Sequence, residues 1–128
     1  MIRVAISEDH PQVRVALRLL LSQSNGIELI SETENGQEAV DCVKVLQPDV
    51  LVMAIHLPVL DGFEATKQIT RLQVSTRVIL ISVDIGSFIA MQAADVGARG
   101  FIPKDNLAQQ LLPAIEAVQQ GETFFVES

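Results

Sequence analysis

The sequence predicts a single doubly wound α/β domain. Three observations carry that reading. Five short runs rich in β-branched and apolar residues alternate with five segments of helical periodicity. The third and fourth runs are apolar at nearly every position, the pattern of strands buried on both faces of a parallel sheet. The chain has 128 residues, 48% of them hydrophobic, enough for one domain with its own core.

The strands are expected at Ile2–Ser7, Ile27–Thr33, Asp49–Ala54, Arg77–Ser82 and Arg99–Ile102. In the first intervening helix Val13, Ala16, Leu17, Leu20 and Leu21 form one stripe, with Arg14 and Arg18 on the other side. Pro11 suits a first helical position, and Asn25-Gly26 turns the chain into the second strand. Asn35 followed by Glu38 reads as a capping box for a helix that points Ala39, Val40, Val43 and Leu46 inward, and Gln47-Pro48 ends it. Asp61 and Glu64 repeat that signal before Phe63, Ile69 and Leu72, which are expected to face the core. An alanine-rich helix over 86–96 closes at Gly97. The last helix carries Leu107, Leu111, Ile115 and Val118 and stops at Gly121; Pro113 inside it predicts a kink or a later start. The order βαβαβαβαβα with right-handed crossovers gives a five-stranded, flavodoxin-like (βα)5 sheet with helices on both faces.

Composition narrows the function. The net charge is −7 and the pI about 4.6, which does not favour nucleic-acid or membrane-surface binding by this piece. One cysteine, Cys42, excludes an internal disulfide framework and points to a reducing, cytoplasmic setting. Its spacing from Ala39 and Leu46 predicts a small buried core thiol. No signal peptide or membrane span is expected.

In this fold class ligands bind beyond the carboxyl ends of the strands. The first strand ends in Ser7-Glu8-Asp9, the third at Ala54 with Ile55-His56 beyond it, the fourth at Ser82, and the fifth runs through Phe101 to Lys104. Adjacent acids with a free backbone carbonyl suit a hard divalent cation such as magnesium. A lysine and a hydroxyl opposite them suit the oxygens of a phosphoryl group. The missing part is a group to receive that phosphoryl, and its natural place is position 54. Each residue alone has a plainer reading. Glu8 and Asp9 could simply lead into a helix N-terminus. Lys104 could be a surface lysine, and Phe101 a packing aromatic. His10 reads as an exposed loop residue, and His56 as contributing its carbonyl rather than its ring.

Taken together, Glu8-Asp9, the block "DVLVMAIHLPVLDG" over 49–62, Ser82 after "VILI" and Lys104 in "GARGFIPKD" resemble the receiver domain of a bacterial two-component response regulator. The resemblance covers residues 1–120. It implies magnesium bound by Glu8, Asp9 and the backbone carbonyl of His56. It also implies phosphoryl contacts from Ser82 and Lys104, and an aromatic switch at Phe101. The phosphoacceptor aspartate of that family falls at Ala54, which offers neither nucleophile nor metal ligand, so magnesium binding is expected to be weakened or absent. "FIPKD" and the segment after it are similar to receivers of the LuxR/FixJ-type class. That makes 121–128 the start of a linker toward an absent C-terminal helix-turn-helix domain, through which alone DNA would be bound. The implied partners are a histidine kinase and a second copy in a homodimer.

Three functional readings follow. In the first, this is a receiver whose aspartate has been replaced by Ala54, so that the chain is locked in its unphosphorylated state. In the second, it is a natural pseudo-receiver, a phosphate-independent interaction or dimerisation module. The third, a magnesium-dependent phosphatase, needs the nucleophile that Ala54 lacks, so the chain is not expected to be an enzyme.

Overall fold

The computed structural model describes residues 1–127. Its strands are β1 (Ile2–Ser7), β2 (Ile27–Thr33), β3 (Val50–Ala54), β4 (Arg77–Ser82), β5 (Gly100–Pro103) and β6 (Phe124–Phe125). Its helices are α1 (Pro11–Ser22), α2 (Gly36–Leu46), α3 (Gly62–Arg71), α4 (Ser87–Asp95) and α5 (Leu107–Gln119). The sheet is parallel throughout, in the order β2-β1-β3-β4-β5-β6. The reversal of strand order lies between β1 and β3, the position where doubly wound sheets open a crevice.

β3 and β4 lie inside the sheet, and all their residues are buried except the half-buried Arg77. That burial accounts for their unbroken apolar sequences. β2, at the edge, is buried only at Ile27; Glu28 and Glu32 are exposed and the rest half-buried. α1 packs with α5 and α2 with α3, while α4 lies against β5. The core between these layers is built from Leu17, Leu51, Ile79, Leu80, Phe101, Leu111 and Ile115, all fully buried.

Local chemistry explains most boundaries. Pro11 opens α1, and the Asn35 and Asp61 side chains accept hydrogen bonds from the Glu38 and Glu64 amides at 2.8 and 2.9 Å. The reciprocal half of each capping box differs. The Glu38 carboxylate reaches the Glu34 amide, and Glu64 pairs with Lys67.

Several expectations need correction. The sheet carries a sixth strand beyond the five, because Phe124 and Phe125 of the segment read as linker pair with β5. Ser128, the last residue of that segment, lies outside the described residues. Pro113 does not delay α5, which starts at Leu107 after a 3-10 turn over Lys104–Asn106 and runs through the proline. Pro113 sits on the exposed face, where water can satisfy the carbonyl its ring leaves unpaired. Ala16, Leu46 and Leu72 are exposed rather than inward, and Cys42 is half-buried against the core. Leu46 and Leu72 lie at or just past helix ends, where the apolar stripe has turned off the sheet.

Arg18 of α1 grips Glu32 of β2 through two hydrogen bonds of 2.9 Å. That hydrogen bond is the main reason the Glu32 carboxyl titrates below its ordinary value of 4.5. A depressed carboxylate stabilises the fold above its unfolded-state value, and the contribution disappears as pH falls through the folded-state value. The urea midpoint of Glu32→Gln is therefore expected to lie below that of the unaltered chain at pH 7. The two should converge as the pH is lowered past 4.5.

Candidate functional site

The parallel register levels the strand ends. Ser7 pairs with Met53, Ala54 with Ile81, and Ser82 with Pro103. The residues that follow β1, β3, β4 and β5 therefore emerge side by side. Glu8 and Asp9 come from the first, Ile55 and His56 from the second, Ser82 ends the third, and Lys104 follows the fourth.

Glu8 is fully buried, a costly place for a carboxylate unless a cation meets it. Lys104 Nζ lies 2.7 Å from Glu8 Oε1, and its side chain is itself largely buried. The contact is ionic rather than an aligned hydrogen bond, so Glu8 Oε1 has no directed donor; nor does the buried Asp9 Oδ1. Asp9 Oδ1, buried and without a donor beside Glu8 and the His10 ring, fits a hard cation. His10 is an exposed loop residue, as read, and its ring also lies beside this group. Its Nδ1 is 3.3 Å from both Glu8 Oε2 and Asp9 Oδ1, although the residue is otherwise exposed. Ligand atoms of Glu8, Asp9 and His10 all lie within 4.8 Å of one another. Arg14 braces the turn by donating to the Glu8 carbonyl at 2.8 Å.

Ala54 sits at the end of β3 and is 1% exposed. The chain after it folds back tightly: the Gly62 amide donates to the Ile55 carbonyl at 2.7 Å. A Cβ on Gly62 would collide with the Ala54 carbonyl, so the Asp61-Gly62 pair of the sequence block is what lets α3 begin against the end of β3. Neighbouring Val59 has φ of 71°, a left-handed conformation rare for a β-branched residue.

A second pairing crosses the mouth. His56 Nε2 and Asp84 Oδ2 are 2.7 Å apart, joining the loop after β3 to the loop after β4. Ser82 Oγ accepts from the Asp84 amide at 3.1 Å and lies 3.4 Å from Asp84 Oδ2. The ring of His56 thus has a partner that residue spacing did not reveal, since Asp84 is 28 residues away. Phe101, the remaining site residue from the sequence, is fully buried in β5 beside Leu80.

Comparison with known proteins identifies the arrangement. The model of the response regulator receiver domain matches residues 4–116. The chain belongs to the response regulator receiver family. It is 35% identical over 121 residues to the transcriptional regulatory protein LnrK of Bacillus subtilis, covering 94% of this chain and 55% of that protein. It is 32% identical over 120 residues to the DNA-binding transcriptional activator EvgA of Escherichia coli, covering 94% and 58%. The chain therefore spans little more than half the length of these relatives. Among solved structures it is similar to the receiver domain of the response regulator NarL from Mycobacterium tuberculosis. That match has a TM-score of 0.90 and 30% identity and covers 94% of this chain and 98% of that one. Among the described residues no helix is long and apolar enough to cross a membrane.

Two predictions follow from this receiver's site. Removing the cation from the buried pair leaves Glu8 charged and unmatched, so Lys104→Met is expected to cost about 3 kcal/mol in urea unfolding. Glu8→Leu combined with Lys104→Met should recover most of that loss, because the pair is then replaced by apolar volume. The Asp84 carboxyl is held below its ordinary 3.8, chiefly by the hydrogen bond from His56. An NMR titration should find it there, and find it returned toward 3.8 in His56→Ala. Any stability it lends is present at neutral pH and fades as the pH falls through that depressed value.

Proposed function

We propose that this receiver derives from one that accepts a phosphoryl group at position 54 and that Ala54 leaves the present chain unable to do so. The observation that carries the reading is the group Glu8, Asp9, Ser82 and Lys104 gathered by register around the buried end of β3. In the phosphorylatable form a histidine kinase is the donor. The phosphorus–nitrogen bond of its phosphohistidine breaks as an aspartate oxygen forms the acyl phosphate. Lys104 would hold one phosphoryl oxygen by charge, and the Ser82 hydroxyl would donate to another. Magnesium would be held by Glu8, Asp9 and the His56 carbonyl, and would supply charge neutralisation at the transferring group. With Ala54 the nucleophile is gone and direct carboxylate ligation falls from three groups to two, so the metal binds weakly.

In the chain as it stands, Lys104 is committed to Glu8, as expected of a site with no phosphoryl group to hold. Phosphorylation of the aspartate form would draw Ser82 and its loop inward and shift the balance of states toward the active one. The output is transcriptional, through a C-terminal DNA-binding domain of LuxR type that follows residues 121–128. LnrK and EvgA support this, since the match spans only 55% and 58% of their lengths and EvgA is a DNA-binding transcriptional activator.

Intact-mass analysis after incubation with acetyl phosphate and magnesium tests the reading. The unaltered chain should gain no mass, and Ala54→Asp should gain one phosphoryl group. Failure of both to label would favour a phosphate-independent interaction module. Labelling of the unaltered chain would overturn the proposal.

A further inference from the structure

We propose that Phe124–Val126 forms a reversible strap that holds the segment after α5 against the outer edge of β5 and transmits its state to the phosphoryl site. The attachment is specific. The Phe124 amide donates to the Arg99 carbonyl and the Val126 amide to the Phe101 carbonyl, both at 2.9 Å. Phe124 lies opposite Gly100 and Phe125 opposite Phe101. Gly100 makes this approach possible, because a Cβ there would stand 3.0 Å from the Phe124 carbonyl oxygen and 3.2 Å from Ile79.

The attachment is also weak. β6 pairs over two residues, and both phenylalanines are only half-buried. Between the strap and α4 a groove of about 280 Å³ remains, lined by Ala90, Met91, Ala94, Phe125 and Glu127. At Gly121 the chain turns with φ of 89°, and the Gly121 and Glu122 amides close α5 by donating to the Val118 and Ala117 carbonyls at 3.0 Å, so the strap can swing only beyond Glu122. A short, loosely packed edge strand opens locally at far lower free energy than the domain unfolds.

The coupling follows from what the strap grips. The Phe101 carbonyl it binds lies three residues before Lys104, and β5 pairs with β4 from Ile79–Gly100 to Ser82–Pro103. A shift of β5 is thus passed to both Lys104 and Ser82. In the resting state the strap covers the β5 edge, and detachment exposes it along with the apolar face of α4, where Phe88 and Met91 already stand exposed. The meaning of that coupling for signalling rests on the receiver reading; the strap itself does not.

Amide hydrogen exchange of the unaltered chain, followed by NMR, tests the first half. Phe124 and Val126 amides are expected to exchange at least about a hundredfold faster than those of Ile79 and Leu80, yet more slowly than an open chain. Exchange at the rate of Ile79 and Leu80 would mean β6 opens only with the whole domain. Exchange at the open-chain rate would mean no strap forms. Either result overturns the proposal. Phe124→Pro combined with Val126→Pro removes both donors and tests the second half, with Phe124→Ala as the control for the loss of a ring that packs against the core. Amide resonances of Ser82 and Lys104 should shift. Shifts confined to 99–103 and 121–127 would overturn the coupling. A failed acetyl phosphate reaction on Ala54→Asp would count against the receiver chemistry and leave both readouts intact.

Discussion

The parallel ladder fixes where every functional group of this chain can be. Evenly spaced hydrogen bonds between β1, β3, β4 and β5 bring four strands to the same level, so four turns open onto one crevice. Close packing of differently sized side chains on both faces of β3 and β4 holds that register, because a one-residue slip would put each side chain into a space shaped for another. The tight return at Gly62 and the buried Glu8 are possible only because the strand ends are level. A shift of one strand would separate Glu8 from Lys104 and leave a buried carboxylate without its cation.

Within that frame the site is a problem in charge. Glu8, Asp9, His10 and Lys104 meet where a buried carboxylate reaches the surface, and Lys104 supplies the fixed positive charge that meets the Glu8 carboxylate. The contact between Lys104 and Glu8 satisfies the deepest acid, while Asp9 keeps an oxygen without a donor. An aspartate at position 54 would add negative charge at the centre and draw both Lys104 and a divalent cation toward it. Ala54 removes that demand and leaves the lysine with Glu8. The arrangement is thus stable with alanine at position 54, a consequence of where the remaining charges lie.

The loops and the outer edge follow different physics from the core. His56 and Asp84 meet in exposed loops, where an ion pair orders two segments more than it stabilises them. Val59 holds a strained left-handed conformation in the same rim. β6 adds one short parallel strand to an edge that would otherwise present unpaired carbonyls to solvent. These features border the site at its rim and outer edge.

Element order, the strand ends and the helix starts at Pro11, Asn35 and Asp61 were legible because they depend on residues close in sequence. Periodicity, proline geometry and side-chain caps act within a few residues. The residues of the candidate site were legible for a related reason: in a doubly wound sheet the carboxyl end of each strand is a known position along the chain. The exposure of Ala16, Leu46 and Leu72 was not legible, since a helical stripe does not show how far a neighbour extends. Nor were the pairing of His56 with Asp84, the turning of His10 onto Glu8 and Asp9, or the return of Phe124–Phe125 to β5. The sequence by itself determined the fold class and which side chains stand at the strand ends, because those follow from local patterning. Only the tertiary structure decided which charges meet and which edge is covered, because those contacts join segments far apart in the chain and depend on distances that patterning does not encode.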